Sequence, residues 1–477
     1  MAALNAFKRI APIPLAFFLT SLVLRLLLRR APQSIHSALE QPLPVVTGWH
    51  DFGLLVWCCA FAGIIVAGVV YLRWLARLAA TQEPVRANTT ATVLACVAAL
   101  AAALSFPMIF SSDVYAYAAY GWLAGHGIDP YAHARIAFGD PLLGAAIWQW
   151  SNPLPVCVYG PAFIWIAKIV VGLFAPFGAT AVLFAMRAIC ALALLACAPL
   201  LAALFDDARR RRLAISGLLL NPVAIWCAAE GHNDTLLLAG VLFGLLVVKR
   251  FGHLAGAFVL MATSLIKASG VAAAVALAVF AWPDRSRFVR TILGIAGGAL
   301  CVAILYKPFG ATAATALLRH GHYAPQYSLQ YLVMQAAAAA SGRQVEAVAL
   351  ALSVALVCAG LLAYRGARLA FAGDVRGAAF LALALWLLIP NPYPWYAFWI
   401  LPVAFLALEQ GVSWAILAAG FTIFARYLPD MSSAAYWERN VAVTLFIVVT
   451  PWLVALWNPR AFARRRLAAA PSHALRG

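Results

Sequence analysis

The chain has 477 residues, of which 65% are hydrophobic and only 10% charged, and its mean hydropathy is +0.90. A water-soluble globular protein carries about a quarter charged residues, so this composition excludes a soluble enzyme and points to a polytopic membrane protein. The formal charge of +18 is not evidence for nucleic acid, because the bases fall in short clusters between apolar runs rather than on one patch.

Taking about 20 apolar residues per crossing, the sequence predicts an all-α protein with about 13–14 transmembrane helices. Three precede a polar break, near 11–29, 52–72 and 91–110; Lys8 and Arg9 lie ahead of the first, and with no small-residue cleavage site in it, it is expected to be a retained helix. A long external loop is expected over 111–178, in which the apolar stretch 159–177 lies along the membrane surface. Counting that stretch as a crossing would put Arg209–Arg212 outside. The middle block, 179–307, holds helices near 179–204, 213–229, 234–250 and 291–307. Between the last two, residues 254–281 are too few for two full spans and read as a pair of short helices, 254–267 and 269–281, meeting at Lys267–Gly270. A second external loop covers 308–344. The C-terminal block, 345–477, carries helices near 345–363, 377–391, 396–409, 411–427 and 440–457, then a basic tail. Most Lys and Arg then fall on one side, which makes both termini cytoplasmic, although Arg25, Arg29 and Arg30 run against the rule. The whole is read as a single integral membrane domain, 1–477. Its nine cysteines are scattered and form no metal or disulfide spacing.

Polar residues gather where the external loops meet the helices. Asp113 sits just past the apolar run 91–110, with Tyr117 and Tyr120 on roughly the same side of a short helix that Gly125, Gly127 and Asp129–Pro130 end. A carboxylate there either caps the helix or acts chemically. Asp129 before Pro130 reads first as a turn residue. Glu230–Asp234 is a polar knot, either an ordinary capped turn or a wall of the same site. Lys267 is an intramembrane lysine at a helix break, suited to an anionic group, and Arg187 has a similar reading. Arg319, His320 and His322 offer phosphate or sugar contacts, a metal pair, or simply a solvated loop. In Pro390–Tyr396, Trp395 and Tyr396 form either an interfacial belt or a stacking surface for sugar or lipid.

Several of these stretches, in this order, resemble the GT-C type glycosyltransferases that use polyprenyl-phosphate sugars, and among them the bacterial polyprenyl-phosphomannose-dependent alpha-mannosyltransferases. The matching pieces are Ser112-Asp113-Val114-Tyr115, Tyr117, Tyr120-Gly121, Gly127-Ile128-Asp129-Pro130-Tyr131 and Tyr159-Gly160-Pro161. They continue with Asn221-Pro222, His232-Asn233-Asp234, Lys267, Pro394-Trp395-Tyr396 and Leu401-Pro402. The resemblance spans about 91–410 and implies a GT-C-like fold whose long external first loop is catalytic and carries surface-lying helices.

It also implies that Asp113 is the general base for an inverting transfer of a hexose, most readily mannose, from a polyprenyl-phosphate donor to a hydroxyl of a glycan or lipid acceptor. Lys267, Arg319, His320 and His322 would face the donor phosphate. Tyr117, Tyr120, Asp129, Tyr131, His232, Asn233, Asp234, Trp395 and Tyr396 would contact substrate. No cofactor, metal or nucleic acid is expected, and Asp113 lacks the adjacent carboxylate of some relatives. The expected location is a bacterial inner membrane, the chain lying among its lipids with the site on the periplasmic or extracellular face. The competing reading is a multi-pass lipid or small-molecule transporter or flippase.

Overall fold

The computed structural model describes residues 2–29, 50–80, 85–105, 111, 113–132, 142–144, 146, 154–320, 324–406, 408, 411–428 and 436–456. Every regular element among them is helical. The chain divides into two compact units. One comprises 1–74, 84–323 and 427–434, and the other comprises 75–83, 324–426 and 435–477.

In the first unit, four helical stretches set the frame of the site: Asp113–Gly125, Pro161–Phe174, Ala179–Leu204, and the pair Ala208–Leu219 and Pro222–Ala229. Asp113–Gly125, Pro161–Phe174 and Ala179–Leu204 share one apolar core, in which Tyr115, Ala118, Leu123, Ile164, Val171 and Met186 are buried. Ala313 and Ala316 of the Gly310–His320 helix join that core, so the expected external loop 308–344 is largely helical: it holds Gly310–His320 and Leu329–Ser341.

The single span predicted over 213–229 is two helices bent by 51° at Leu220–Asn221. The cause is local. Asn221 turns out of helical geometry and its Oδ1 accepts from the N–H groups of Val223 and Ala224, at 2.9 and 3.2 Å, while Pro222 opens the next helix. The expected pair at 254–281 appears as His253–Ala262 and Val271–Ala281, each continued by a 3₁₀ turn, with Lys267 extended between them. The carbonyl of Ile266 that this break frees accepts from Gly160 N–H at 3.0 Å. Gly160 is required by this approach, since a Cβ there would lie 2.0 Å from the Leu265 carbonyl oxygen.

In the second unit, Gln344–Phe371 packs on Gly377–Leu388, and Gly411–Thr422 on Tyr436–Leu456. The span predicted near 396–409 is instead a 3₁₀ helix, Pro394–Trp399, which Pro394 opens, followed by one turn, Leu401–Ala404; Pro402, with no N–H to donate, prevents the two from running on as one helix.

Among the described residues, four helical stretches are long and apolar enough to cross a membrane: Cys58–Ala79, Ala179–Leu204, Arg285–Leu318 and Gln344–Phe371. The bent pair makes a fifth, and eight shorter apolar helices accompany them. The fold class is that of a polytopic all-α membrane protein.

Candidate active site

Asp113 opens its helix, and its N–H donates to Ser111 Oγ at 3.2 Å. One turn on, the Tyr117 hydroxyl donates to Asp113 Oδ2 at 3.3 Å, the i,i+4 pairing that the sequence spacing predicts. The same oxygen faces His232 Nδ1 at 3.6 Å, and His232 Nε2 faces Glu230 Oε2 at 3.9 Å. His232 reaches this position because the turn 230–233 joins two helices through Gly231 at φ +88°, a conformation that favours glycine. The Arg187 guanidinium holds that turn from behind, donating to Ala229 O at 2.5 Å and to Ala103 O at 3.2 Å, the final carbonyls of two helices. Cys190 Sγ donates to Gly231 O at 3.2 Å.

Immediately beyond, Asp234 begins the helix Asp234–Phe251 with no solvent exposure at all, and both its carboxylate oxygens lie 2.9 Å from Lys267 Nζ. The Lys267 amine also sits 5.8 Å from the Tyr159 ring centroid. Tyr117, Tyr159 and Phe163 pack edge to face around it, with centroids 4.8–5.4 Å apart. The knot 230–234, the helix break at Lys267 and the start of the Asp113 helix therefore form one polar constellation inside an apolar shell.

Its electrostatics follow from burial. None of the candidate spans includes Asp113 or His232. Loss of hydration pushes the Asp113 carboxyl up to about 6; Asp234 reinforces this, and Lys267, Tyr117 and Ser111 oppose it. Burial, then Lys267, holds the His232 imidazole well below its ordinary value, so it is neutral near pH 7. Burial also raises the Tyr117 phenol, which keeps it a donor. A carboxylate poised near neutrality beside a lysine can take a proton from a hydroxyl while a neighbouring cation stabilises developing anionic charge. Among the described residues no three His, Cys, Asp or Glu side chains gather as metal ligands.

The structure thus brings together Asp113, Tyr117, His232, Asn233, Asp234 and Lys267. Asn233 is fully buried, and its amide has no hydrogen-bond partner among the described residues. Tyr120 and Tyr131 lie one layer back: their hydroxyls donate to Pro155 O at 2.9 Å and to Tyr159 O at 2.7 Å, holding the segment that carries Tyr159. Asp129 closes its own turn onto Tyr131 N–H at 2.9 Å and accepts from Thr312 Oγ1 at 2.7 Å.

Arg319 and His320 end the Gly310–His320 helix, with their side chains outside the described residues, as His322 is altogether. Trp395 and Tyr396 belong to the second unit, where Tyr393 stacks on Trp395 and Tyr396 on Trp399 at 4.6 and 4.3 Å. Arg426 lies 3.5 Å over the Tyr393 ring and donates to Pro392 O. Sequence reasoning passed over Phe163 and Thr312, whose apolar and hydroxyl side chains carry no signal until the fold sets them beside Tyr117 and Asp129.

A family model described as "Alpha-(1->6)-mannopyranosyltransferase, N-terminal domain" matches residues 26–283, more than half of the chain and including every member of this constellation. Alpha-(1->6)-mannopyranosyltransferase A of Mycobacterium tuberculosis (strain ATCC 25618 / H37Rv) is 27% identical over 428 residues, covering 82% of this chain and 80% of that protein. No solved structure matches.

Proposed function

The chain belongs to the alpha-(1->6)-mannopyranosyltransferase family, and on that premise we propose that it transfers mannose from a polyprenyl-phosphate donor to a mannose hydroxyl of a glycan or lipid acceptor. It is a glycosyltransferase of the membrane, which sets aside the transporter reading. The relative's name suggests the 6-hydroxyl as the acceptor position.

In this reading Asp113 takes the proton of the acceptor hydroxyl as that oxygen forms its bond to the anomeric carbon. The bond from that carbon to the phosphate oxygen breaks, and the polyprenyl phosphate leaves with the electron pair. Attack from the face opposite the leaving group inverts the centre, so a β-linked donor gives an α-linked product. Lys267 turns from Asp234 toward the departing phosphate, and Arg319, His320 and His322 are further candidates to meet it. His232, Asn233 and Asp234 line the sugar side, and Tyr120, Tyr131 and Asp129 support it through the backbone. Trp395 and Tyr396 serve as a stacking surface for substrate.

The distribution of basic clusters supports a bacterial inner-membrane protein with both termini cytoplasmic and the site on the periplasmic or extracellular face. The observation that carries the proposal is the cluster of Asp113, Tyr117, His232 and the Asp234–Lys267 pair, with burial raising the Asp113 carboxyl, within the residues that the family model matches.

The test is transfer by the purified protein from synthetic polyprenyl phosphomannose to an alkyl α-mannoside, read by mass and by linkage analysis. Asp113→Asn is expected to lose transfer by at least about 10²-fold while staying folded. Native-like transfer by Asp113→Asn would remove the base from Asp113, and no transfer by the native chain to any mannoside would refute the donor or acceptor.

A further inference from the structure

Ser111, Tyr117 and His232 all adjoin the Asp113 carboxyl, and two of them converge on one oxygen. The Tyr117 hydroxyl and His232 Nδ1 both approach Oδ2, at 3.3 and 3.6 Å, while no hydrogen bond to Oδ1 occurs among the described residues. The carboxylate keeps 14% exposure, whereas His232 is 1% exposed and cannot itself meet a substrate without the knot opening. Its ring lies between two carboxylates, with Asp113 Oδ2 3.6 Å from Nδ1 and Glu230 Oε2 3.9 Å from Nε2, both beyond hydrogen-bond reach. The knot is further anchored by the Arg187 bond to Ala229 O and the Cys190 bond to Gly231 O. A buried imidazole so fixed, whose Nδ1 aims at one oxygen of a candidate base, is the arrangement by which a third group orients catalytic chemistry.

We propose that His232 is the positioning residue of the Asp113 base: with the Tyr117 hydroxyl it holds Oδ2, so that Oδ1 is presented to the acceptor hydroxyl. The assignment rests on Asp113 being the base and adds to it the residue that aims it. The 3.6 Å separation exceeds a hydrogen bond; it shortens when substrate seats, as catalytic contacts commonly do. In this role the neutral ring is the tautomer that carries its proton on Nδ1, which stabilises the ionised carboxylate without adding charge beside Lys267. The groups facing this array are Tyr117 from the Asp113 helix, Glu230 from the turn, Asp234 from the next helix, Lys267 from the helix break, and Tyr159 from the segment before the Pro161–Phe174 helix.

The experiment is the pH dependence of kcat and KM with synthetic polyprenyl phosphomannose and an alkyl α-mannoside, in the purified full chain. It compares native protein with His232→Leu, His232→Asn, Tyr117→Phe and Asp113→Asn. His232→Leu keeps volume and removes the donor: kcat falls by about 10²-fold, and donor KM stays within about 2-fold. The acidic limb moves to higher pH by roughly half a unit to one unit, because the carboxylate loses a hydrogen bond to its ionised form. His232→Asn, whose amide nitrogen falls near the Nδ1 position, recovers at least about tenfold of the loss and returns the limb.

A His232→Leu protein that loses kcat with an unmoved limb, or a His232→Asn protein no better than it, overturns the proposal. Should His232→Leu not fold, Tyr117→Phe carries the same test from the other donor: its limb moves up if Oδ2 is the held oxygen, and an unmoved limb overturns the assignment. Asp113→Asn separates the two levels. Native transfer by that variant sinks the base and the assignment together, whereas an inactive Asp113→Asn beside an unaffected His232→Leu sinks the positioning role alone.

Discussion

Asp113 stores a conflict between stability and chemistry, and the conflict has a sign. Its carboxyl is raised from 3.8 to about 6, chiefly by loss of hydration, so the folded protein prefers the protonated form. The stability that this preference supplies is complete below the ordinary carboxylate range and is lost as pH rises through about 6. Asp113→Asn removes the penalty: at pH 7 it should melt higher than the native chain, by ~1–3 kcal/mol, and at pH 4 the two should coincide. With Asp113 as the proposed base, the same value predicts that kcat of the native enzyme falls tenfold per unit as pH drops below about 6, because that carboxylate is then protonated. A melting difference independent of pH would contradict the assigned cause. Lys267 and Asp234 offer a second test. Asp234 is fully buried, so Lys267→Met strands its charge and should cost about 3–5 kcal/mol in stability. The double variant Lys267→Met/Asp234→Leu should recover most of that stability and, on the proposed role of Lys267 at the donor phosphate, none of the transfer. Recovery of transfer in the double variant would show that Lys267 has only a structural task.

The elements that aim these residues depend on two short interruptions, one at Asn221–Pro222 and one at Ile266–Gly270. Asn221→Ala removes the acceptor for two N–H groups at a buried helix start and should destabilise by about 1 kcal/mol or somewhat more. Gly160→Ala is more severe, because its methyl meets the Leu265 carbonyl and pushes the Ile266–Lys267 break away from the Asp113 helix. Transfer should fall in that variant at a temperature where its helix content is still native by circular dichroism. The break at Lys267 was legible in the sequence, since 28 residues cannot make two full spans and Ser269–Gly270 disfavours a continuous helix. The Asp113–Tyr117 contact was legible for a similar reason: i,i+4 spacing is fixed by helix geometry. The tasks of Tyr120, Tyr131 and Asp129 were not. Their partners are two backbone carbonyls 35 and 28 residues away and a threonine 183 residues away, and no local pattern encodes which distant group a hydroxyl or carboxylate will meet. The bend at 220–221 was hidden for another reason, because an apolar run reads the same whether it is straight or broken.

At the scale of the whole molecule, the helices divide by what surrounds them. The most apolar 18-residue window of Ala179–Leu204 is 61% buried, whereas the corresponding windows of Arg285–Leu318 and Gln344–Phe371 are only 17% and 22% buried. Leu293, Leu300 and Ile304 on the former, and Leu356, Val357 and Leu361 on the latter, leave more than half their surface uncovered. In water such faces would drive aggregation, but in a bilayer the tails are as apolar as leucine and nothing is lost by exposing them. Leu194, by contrast, is wholly covered within Ala179–Leu204, the helix that carries Arg187. The consequence is a split between two chemically identical substitutions. Leu194→Ala opens a cavity beside the helix that supports the 230–234 knot and should cost about 2–5 kcal/mol, with a matching fall in transfer. Leu300→Ala exchanges one lipid-facing group for a smaller one and should change the melting temperature in nanodiscs by no more than a degree or two. If Leu300→Ala destabilised as strongly as Leu194→Ala, the Arg285–Tyr306 helix would have to be covered by protein rather than lipid, and a second copy or another subunit would have to be sought against that face.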